Sequence, residues 1–356
     1  MNVQLKPLEQ QVVVILGASS GIGLATARLA AARGARLVLA ARSRNALGRL
    51  AAQLDSTGSR VVTVVADVSI EADVRRVADA ALDRFGGFDT WINDAAVSAY
   101  GACLDVSVED LRRIIDTNLF GCVHGSRIAC AHLRRAGGAL INMGSIVGDR
   151  AVPLQGMYSA SKHAIKAWTD TLRMELQAEN APVSVTLVKP SAIDTPYAEH
   201  ARNYLPDQPT HAPPVYTPRS VAKAILYAAE HPVRDITVGS AGKVLSFVSA
   251  VAPGLTDRLM VRLLLPATHS GRPRNPRPNL DTPGEDLRER GDYRGMARPS
   301  LYTALVRHRT AAGLAALVAT FALSQVRTAV ERRSRAEASP IEAFLRSIKP
   351  EQEGAA

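Results

Sequence analysis

Short apolar runs alternate with longer segments of helical periodicity along the first two thirds of the chain. Each run is an almost continuous series of β-branched or aliphatic residues, which is typical of parallel strands buried on both faces. Six runs are predicted to be strands: Val12–Leu16, Arg36–Ala41, Val61–Ala66, Thr90–Asn93, Ala139–Met143 and Val183–Val188. Residues with helical spacing lie between them, as in Leu24–Arg33, Ala72–Phe85 and Val106–Leu133. This alternation predicts an α/β fold with a doubly wound parallel sheet, whose ligands bind beyond the carboxyl ends of the strands.

The pattern changes after about Gly242. Residues 244–265 are predicted to form one or two apolar helices with a break near Pro253. Residues 266–299 hold six prolines and many arginines without periodicity, which indicates an extended linker or an arm that wraps over the surface. The chain is therefore predicted to comprise a doubly wound domain at residues 1–265, the linker or arm at residues 266–300 and a helical extension at residues 301–356.

The extension contains an uncharged segment of seventeen residues, Thr310–Val326. As a helix it would measure about 25 Å, which is short of the roughly 30 Å hydrocarbon core of a bilayer. Arginines are more numerous after the segment than before it, which opposes a single span that starts in the cytoplasm. Three interpretations stay open: packing on its own domain or a sister domain, attachment to a membrane surface through residues 301–335, and a membrane span.

The amino-acid composition excludes several classes of protein. At 47% hydrophobic and 21% charged residues, the chain is neither disordered nor built around disulfides. A net charge of +10 suggests an anionic partner, but aromatic residues at 4% argue against a base-stacking surface, so no nucleic-acid partner is expected. Three cysteines without a Cys-x-x-Cys pair indicate a reducing compartment and no structural metal site. Because no secretory signal is visible, the doubly wound domain is predicted to be cytoplasmic.

A glycine-rich loop connects the first predicted strand to the first predicted helix. It reads Gly17-Ala18-Ser19-Ser20-Gly21-Ile22-Gly23. Glycines at such a joint allow positive φ angles and a close approach of the backbone, while free N–H groups and the helix dipole attract a pyrophosphate. The strand-loop-helix context therefore predicts a nucleotide site.

The ends of the second and third strands refine this prediction. Arg42 follows the second strand where an NAD-using protein would place a carboxylate for the ribose hydroxyls, and a guanidinium there suits a 2′-phosphate. NADP(H) is therefore preferred, NAD(H) is kept as possible, and a solvated charge at a helix start is the alternative role of Arg42. Asp67 and Val68 follow the third strand, where Asp67 either accepts a hydrogen bond from an adenine amino group or caps the next helix.

Four polar residues form a candidate catalytic set. Tyr158 and Lys162 are four residues apart and share one helix face, and a nearby cation favours the phenolate of a tyrosine whose free pKa is about 10. Ser145 follows the strand that ends near Met143, where its hydroxyl would stabilise a developing oxyanion. Asn118 lies in the middle of a predicted helix, where Asn is disfavoured because its side chain competes for backbone hydrogen bonds. It therefore predicts a local break in the helix, with a water site near Lys162.

Together these residues resemble the short-chain dehydrogenases/reductases over residues 11–242. The resemblance implies a Rossmann-type fold, a homo-oligomer and one role for each catalytic residue. Tyr158 would be the general acid/base, Lys162 would lower its pKa and hold the nicotinamide ribose, Ser145 would polarise a carbonyl, and Asn118 would order a relay water. The nucleotide site would comprise Gly17, Ser19, Ser20, Gly21, Ile22, Gly23, Arg42, Asp67, Val68, Asn93, Tyr158, Lys162, Pro190, Ile193 and Thr195.

Some positions depart from the family pattern. The usual Thr before the first glycine is Leu16, the usual Asn-Asn-Ala-Gly is Asn93-Asp94-Ala95-Ala96, and the usual Gly after Pro190 is Ser191. Ser20 stands where NADP-using members often carry a basic residue. These departures concern cofactor affinity and loop geometry more than the chemistry, because all four catalytic positions are intact.

The class of substrate is predicted from residues 194–218. This segment contains six prolines and three tyrosines and matches the family's substrate-covering segment in position. Its composition indicates an apolar, semi-rigid lid over a lipid-like, steroid-like or aromatic ketone or alcohol. The sequence thus favours an NADP(H)-dependent oxidoreductase that interconverts a carbonyl and an alcohol, with a catalytically silent nucleotide-sensing or scaffolding module as the alternative.

Overall fold

The computed structural model describes residues 3–275, 278–300 and 303, which belong to the first of two compact units, residues 1–304. The strands in these residues are β1 Val12–Leu16, β2 Arg36–Ala41, β3 Val61–Val65, β4 Thr90–Asn93, β5 Ala99–Tyr100, β6 Gly138–Met143, β7 Val183–Pro190, β8 Arg202–Asn203, β9 Val215–Tyr216, β10 Asp235–Val238 and β11 Ala297–Arg298. The α-helices are α1 Gly21–Ala32, α2 Arg44–Leu54, α3 Glu71–Phe85, α4 Val108–Ile115, α5 Gly121–Ala136, α6 Gly156–Ala178, α7 Tyr197–His200, α8 Pro218–Glu230, α9 Ser240–Val251, α10 Pro253–Leu259 and α11 Leu265–Ala267.

Seven parallel strands form the central sheet in the order β10-β7-β6-β4-β1-β2-β3. Strand β1 pairs with β2 on one side and with β4 on the other, so that Ile15 lies beside both Leu39 and Ile92. The direction of winding reverses at β1, and a crevice opens there at the carboxyl ends of the strands. The predicted doubly wound sheet is therefore confirmed.

All six predicted strands are present, with ends that shift by at most two residues. The seventh strand, β10, was not among them. Its four residues, Asp-Ile-Thr-Val, are too short a run to signal a strand without the neighbouring β7.

Helices cover both faces of the sheet because its central strands are apolar on both faces. Strand β1 is buried along its whole length. One core lies between the sheet and α1, α2 and α8, and includes Leu24, Leu47 and Ile225. The other includes Val77 of α3 and Leu133 of α5. This close packing makes the carboxyl edge of the sheet a rigid support.

The predicted apolar helices after Gly242 are α9 and α10, and they separate at Ala252, just before the expected Pro253. Within the described residues, no helix combines the length and apolar character that a membrane span requires. Apart from Thr303, residues 301–356 lie outside the described part of the chain. The three interpretations of Thr310–Val326 and the domain boundaries therefore stay predictions.

Residues just before the extension, and Thr303 within it, pack on the doubly wound domain. Strand β11 pairs with β9, and Thr303 donates a hydrogen bond from its hydroxyl to the carbonyl of Thr237 at 3.4 Å. Residues 279–292, which we name the strap, lie against the loops that follow β1, β2 and β7. The strap therefore lies beside the crevice of the sheet.

Candidate active site

A cavity of about 720 Å³ lies at the carboxyl edge of the sheet. Its volume is within the range of small-molecule sites. Most of the predicted site residues line it: Gly17, Ser19, Ser20, Gly21, Ile22, Arg42, Asp67, Val68, Ser145, Tyr158, Lys162, Pro190, Ile193 and Thr195. Gly23, Asn93 and Asn118 do not line it.

The glycine loop requires glycine for two different reasons. Gly17 has a φ of 95°, and a Cβ on it would lie 2.7 Å from the backbone nitrogen of Ala95. A Cβ on Gly23 would lie 2.2 Å from the carbonyl oxygen of Gly17. Gly23 thus serves the packing of α1 on the loop, while α1 begins at Gly21 with its N-terminal end on the cavity. A helix N-terminus in this position is suited to an anion.

Arg42 enters the cavity from the end of β2, and the strap surrounds its guanidinium. Nη1 donates to the carbonyl of Leu280 at 2.9 Å, and Nη2 donates to the carbonyl of Asn279. The alternative of a freely solvated charge is therefore wrong, because backbone carbonyls hold the guanidinium in place.

Asp67 closes a turn before α3. Its Oδ1 accepts from the N–H and the hydroxyl of Ser69 at 3.0 and 2.7 Å, and its Oδ2 pairs with Arg113 at 2.6 Å. The N-cap position of α3 is Ile70, so the prediction of a helix cap at Asp67 is wrong. Burial acts to raise the pKa of Asp67, but these hydrogen bonds and the Arg113 charge outweigh it and hold the pKa below its usual value. A contact of Asp67 with adenine stays a prediction.

Asn93 faces away from the cavity, into a buried polar network. Its Nδ2 donates to Oδ1 of Asn142 at 2.7 Å, and its Oδ1 accepts from Nε1 of Trp91 at 2.8 Å. Asn142 in turn donates to the hydroxyl of Thr169 at 3.0 Å. The structure therefore gives this side chain a structural role at the end of β4 and no direct place in the cavity.

The catalytic set meets at one end of the cavity. The Tyr158 hydroxyl shares hydrogen bonds with Ser145 and with Tyr197. Lys162 Nζ lies 5.6 Å from the centre of the Tyr158 ring and donates to the carbonyl of Met143 at 2.8 Å. Tyrosine, serine and lysine are thus placed around one point where a carbonyl oxygen would lie.

The protonation states differ from the expectation for Lys162. Burial raises the pKa of Tyr158 to about 12, and the ammonium of Lys162 does not offset this effect. Burial also lowers the pKa of Lys162 to about 8, although the charge of Asp94 acts in the opposite direction. In the free protein Tyr158 is therefore protonated, and Lys162 loses its charge near pH 8.

The predicted break at Asn118 is confirmed. Residues Asp116–Phe120 form a π-helical segment between α4 and α5. The Asn118 side chain accepts from the N–H of Val97 at 2.8 Å and donates to the carbonyl of Val97 at 3.0 Å. It also donates to the hydroxyl of Ser161, next to Lys162, at 3.1 Å. These bonds tie the helix break to the catalytic helix α6, while the relay water stays a prediction.

Three cavity residues were not singled out from the sequence. Tyr197 packs on Tyr158 with ring centres 5.2 Å apart, and His211 stacks on Tyr197 at 6.1 Å. Asp94 lies under the glycine loop, where the N–H of Gly23 donates to its carboxyl group. Burial raises the pKa of Asp94 to about 7, against the opposing charge of Lys162. The family departure at Asp94 was the available signal, and the tyrosines of residues 194–218 were the signal for Tyr197.

A model of the short chain dehydrogenase family matches residues 11–205. The chain belongs to the short-chain dehydrogenase family. An uncharacterized oxidoreductase of Bacillus subtilis (strain 168), YxnA, is 47% identical over 334 residues, which are 92% of this chain and 94% of that protein. This short-chain dehydrogenase is therefore an oxidoreductase that acts on CH–OH or carbonyl groups with a nicotinamide cofactor.

Solved structures of the family share the fold of this short-chain dehydrogenase. A member from Burkholderia phymatum, in complex with NAD, gives a TM-score of 0.63 at 28% identity and covers 72% of this chain and 96% of its own. A member from Burkholderia cenocepacia J2315, in complex with NADP, gives 0.61 at 28% identity and covers 71% of this chain and 99% of its own. The cavity fits such a dinucleotide, because it runs from Arg42 past the N-terminus of α1 to Tyr158.

Proposed function

We propose that this protein is an NADP(H)-dependent oxidoreductase that interconverts a ketone and a secondary alcohol of apolar character. One observation carries the proposal: a single cavity holds Arg42 at one end and Tyr158, Ser145 and Lys162 at the other. The nicotinamide, when bound, supplies or accepts the hydride. The protein's own residues bind the dinucleotide, orient the carbonyl and move one proton.

Each catalytic residue has a role that its contacts support. The Tyr158 hydroxyl gives its proton to the substrate oxygen in reduction and takes it back in oxidation. Ser145, which shares a hydrogen bond with Tyr158, orients the same oxygen and stabilises its developing charge. Lys162 stabilises the phenolate that forms when Tyr158 releases its proton. Asn118 holds α4 and α5 against α6 through Ser161, and orders the water that returns the proton.

The preference for NADP(H) rests on Arg42. Arg42→Ala is expected to lower the ratio of kcat/KM for NADPH to that for NADH by about 10- to 100-fold, because a charge-assisted hydrogen bond to the 2′-phosphate is lost. Arg44→Ala is the matched control, since Arg44 is exposed on the next helix. A preference for NADH that Arg42→Ala leaves unchanged would contradict the assignment.

An apolar substrate is supported by the side chains around the catalytic end of the cavity, which include Val152, Pro153, Leu245, Leu259 and Leu263. We expect NADPH oxidation to rise with the apolar area of the ketone across a panel that runs from acetone to bicyclic and steroid-sized ketones. The checks are kcat/KM for each ketone and for a hydroxylated analogue of equal size. Turnover confined to small polar carbonyls would exclude the proposed substrate class.

The pH dependence of reduction follows from Lys162. We expect kcat/KM for reduction to be flat from about pH 6 to 8 and to fall by about tenfold per pH unit above about pH 8, because Lys162 loses its charge near pH 8 while Tyr158 keeps its proton to about pH 12. Lys162→Met is expected to have a low kcat/KM that no longer falls above about pH 8. A profile that stays level to about pH 10 would mean that Lys162 does not control proton transfer.

Location and assembly remain predictions. A cytoplasmic location of the catalytic part is supported by the free thiols of Cys103, Cys122 and Cys130. Attachment to a membrane surface is supported by an exposed apolar face on α9 and α10, with Val244, Phe247, Val251, Leu255 and Leu259; the part that residues 301–335 play in it stays a prediction. Flotation of the full-length protein with vesicles, compared with a chain that ends after Ala304, tests attachment.

Light scattering of the full-length protein tests the homo-oligomer that the family resemblance implies.

A further inference from the structure

The strap, residues 279–292, is acidic in a basic protein. It carries five carboxylates and two guanidiniums, a net charge of −3, whereas the whole chain carries +10. The strap also lies beyond the residues that the family model matches. Its charge therefore has the sign of the phosphates that the neighbouring cavity is built to bind.

Backbone carbonyls of the strap take the donors expected to bind phosphate. Arg42 directs both terminal nitrogens at the strap: Nη1 to the carbonyls of Leu280 and Asp281 at 2.9 and 3.4 Å, and Nη2 to those of Asn279 and Thr282. The N–H of Gly21, the first residue of α1, donates to the carbonyl of Arg288 at 2.9 Å. The donors for the 2′-phosphate and for the pyrophosphate are thus engaged at the same time.

Side chains fasten the strap to both walls of the cavity. On the nucleotide side, Glu289 pairs with Arg28 of α1 at 2.7 Å, and Glu285 accepts from Asn45 of α2 at 3.0 Å. On the opposite side, Arg290 pairs at 2.6 Å with Asp194 in the loop after β7. The strap therefore spans the mouth of the nucleotide site and is fixed at both ends.

The strap and an NADP phosphate compete for the same atoms. A phosphate at Arg42 would bring its oxygens against the strap carbonyl oxygens that already surround the guanidinium. The phosphate and the strap therefore cannot bind the guanidinium at the same time. A bidentate contact of the guanidinium with a charged phosphate adds the attraction of opposite charges, which a contact with neutral carbonyls lacks. A ribose without the phosphate lacks this advantage, which makes the exchange selective.

We propose that the strap is a phosphate-mimicking gate, which NADP(H) displaces through its 2′-phosphate at Arg42. The pyrophosphate of NAD(H) competes only for the single Gly21 contact, so NAD(H) leaves the strap seated through Arg42 and its ion pairs. This inference rests on the proposed function. It makes the strap a determinant of cofactor specificity in addition to Arg42, and it couples cofactor binding to the exposure of a segment outside the family core.

Limited trypsin digestion of the full-length protein tests the gate. Trypsin cleaves after Arg288 and Arg290, which ion pairs with Glu199 and Asp194 hold in place while the strap is seated. Mass spectrometry follows these two cleavages alone, with no nucleotide, with NADP+ and with NAD+, each at a saturating concentration fixed by calorimetry. A coupling of the usual size corresponds to about 5- to 150-fold, and we expect NADP+ to accelerate both cleavages about tenfold and NAD+ to change them less than about twofold.

Each other outcome overturns the inference in a distinguishable way. Bound NADP+ that slows the cleavages, or leaves them unchanged, would make the strap a passive part of the site while the proposed function stands. Equal acceleration of both cleavages by NAD+ would show that the 2′-phosphate is not what displaces the strap. If calorimetry detects binding of neither nucleotide, the proposed function fails, and the gate fails with it.

A single substitution in the strap provides an independent readout. Glu289→Gln removes the ion pair with Arg28 and is expected to tighten NADP+ binding about threefold, since a partly exposed pair contributes little more than this to seating the strap. Glu71→Gln is the matched control, because it removes a surface pair with Arg75 away from the strap. Calorimetry on both full-length variants measures the change. Unchanged or weaker binding in Glu289→Gln alone would contradict a competing strap.

Discussion

Tyr158→Phe is expected to lower kcat/KM for reduction by about 10²- to 10⁴-fold, the usual contribution of a positioned general acid. The ring would keep its packing on Tyr197 and its contact with Lys162, since only the hydroxyl is removed. Dinucleotide affinity should therefore stay within about twofold of the wild type. Steady-state kinetics on an accepted ketone and calorimetric titration with NADP+ measure the two quantities.

Tyr197→Phe is the matched control for this prediction. Tyr197 shares a hydrogen bond with Tyr158, but its own pKa is raised well above the usual value by burial, and Gln155 provides a second partner at 3.4 Å. We expect its loss to reduce kcat/KM by less than about tenfold. Turnover that survives in Tyr158→Phe while it fails in Tyr197→Phe would transfer the proton-transfer role to Tyr197.

Asp94→Asn is expected to raise the free energy of unfolding by about 4 kcal/mol at pH 8, because the pKa of this carboxyl group is about 7 in the folded protein against 3.8 in the unfolded chain. Between these two values the folded state binds more protons than the unfolded state, so stability falls as the pH rises through this window. Above about pH 7 the whole cost of the buried carboxylate is present. Asn keeps an oxygen for the N–H of Gly23 and carries no charge.

The pH dependence makes this prediction specific. Denaturant unfolding of the wild type and of Asp94→Asn should differ by less than about 2 kcal/mol at pH 5, and the difference should disappear near pH 3. The substitution also removes a negative charge from the floor of the nucleotide cavity, so NADP+ affinity should increase at pH 8 more than at pH 5. A stability difference equal at pH 5 and pH 8 would show that Asp94 does not titrate as described.

Six of the seven strands of the sheet, and the residues at the catalytic end of the cavity, could be predicted from the sequence. Continuous apolar runs identify buried parallel strands, and residues that follow such strands meet at one edge whatever the details of the loops. Tyr158 and Lys162 are related by helix geometry alone, and Asn118 marks a helix break because its side chain competes for backbone hydrogen bonds. These inferences depend on local spacing, which a sequence contains directly.

The remaining features depend on contacts between distant residues. Whether Asn93 faces the cavity or the interior depends on the strand pleat and on which helix covers that face. Burial of Tyr158 and Lys162 sets their pKa values, and burial follows from the assembled fold. The seating of the strap on Arg42 uses backbone carbonyls, which every residue has, so no side-chain pattern in residues 279–282 indicates it.

The buried amides of Asn93 and Asn142 have a consequence for how the chain selects a single sheet. The two residues lie side by side in adjacent strands, and each amide finds its partners only in that alignment. If one strand slipped by a single position, its amide would turn to the opposite face of the sheet, and the hydrogen bond between the two amides would be lost. The pair therefore acts as a key for strand alignment, which excludes near-correct pairings that aliphatic side chains alone would tolerate.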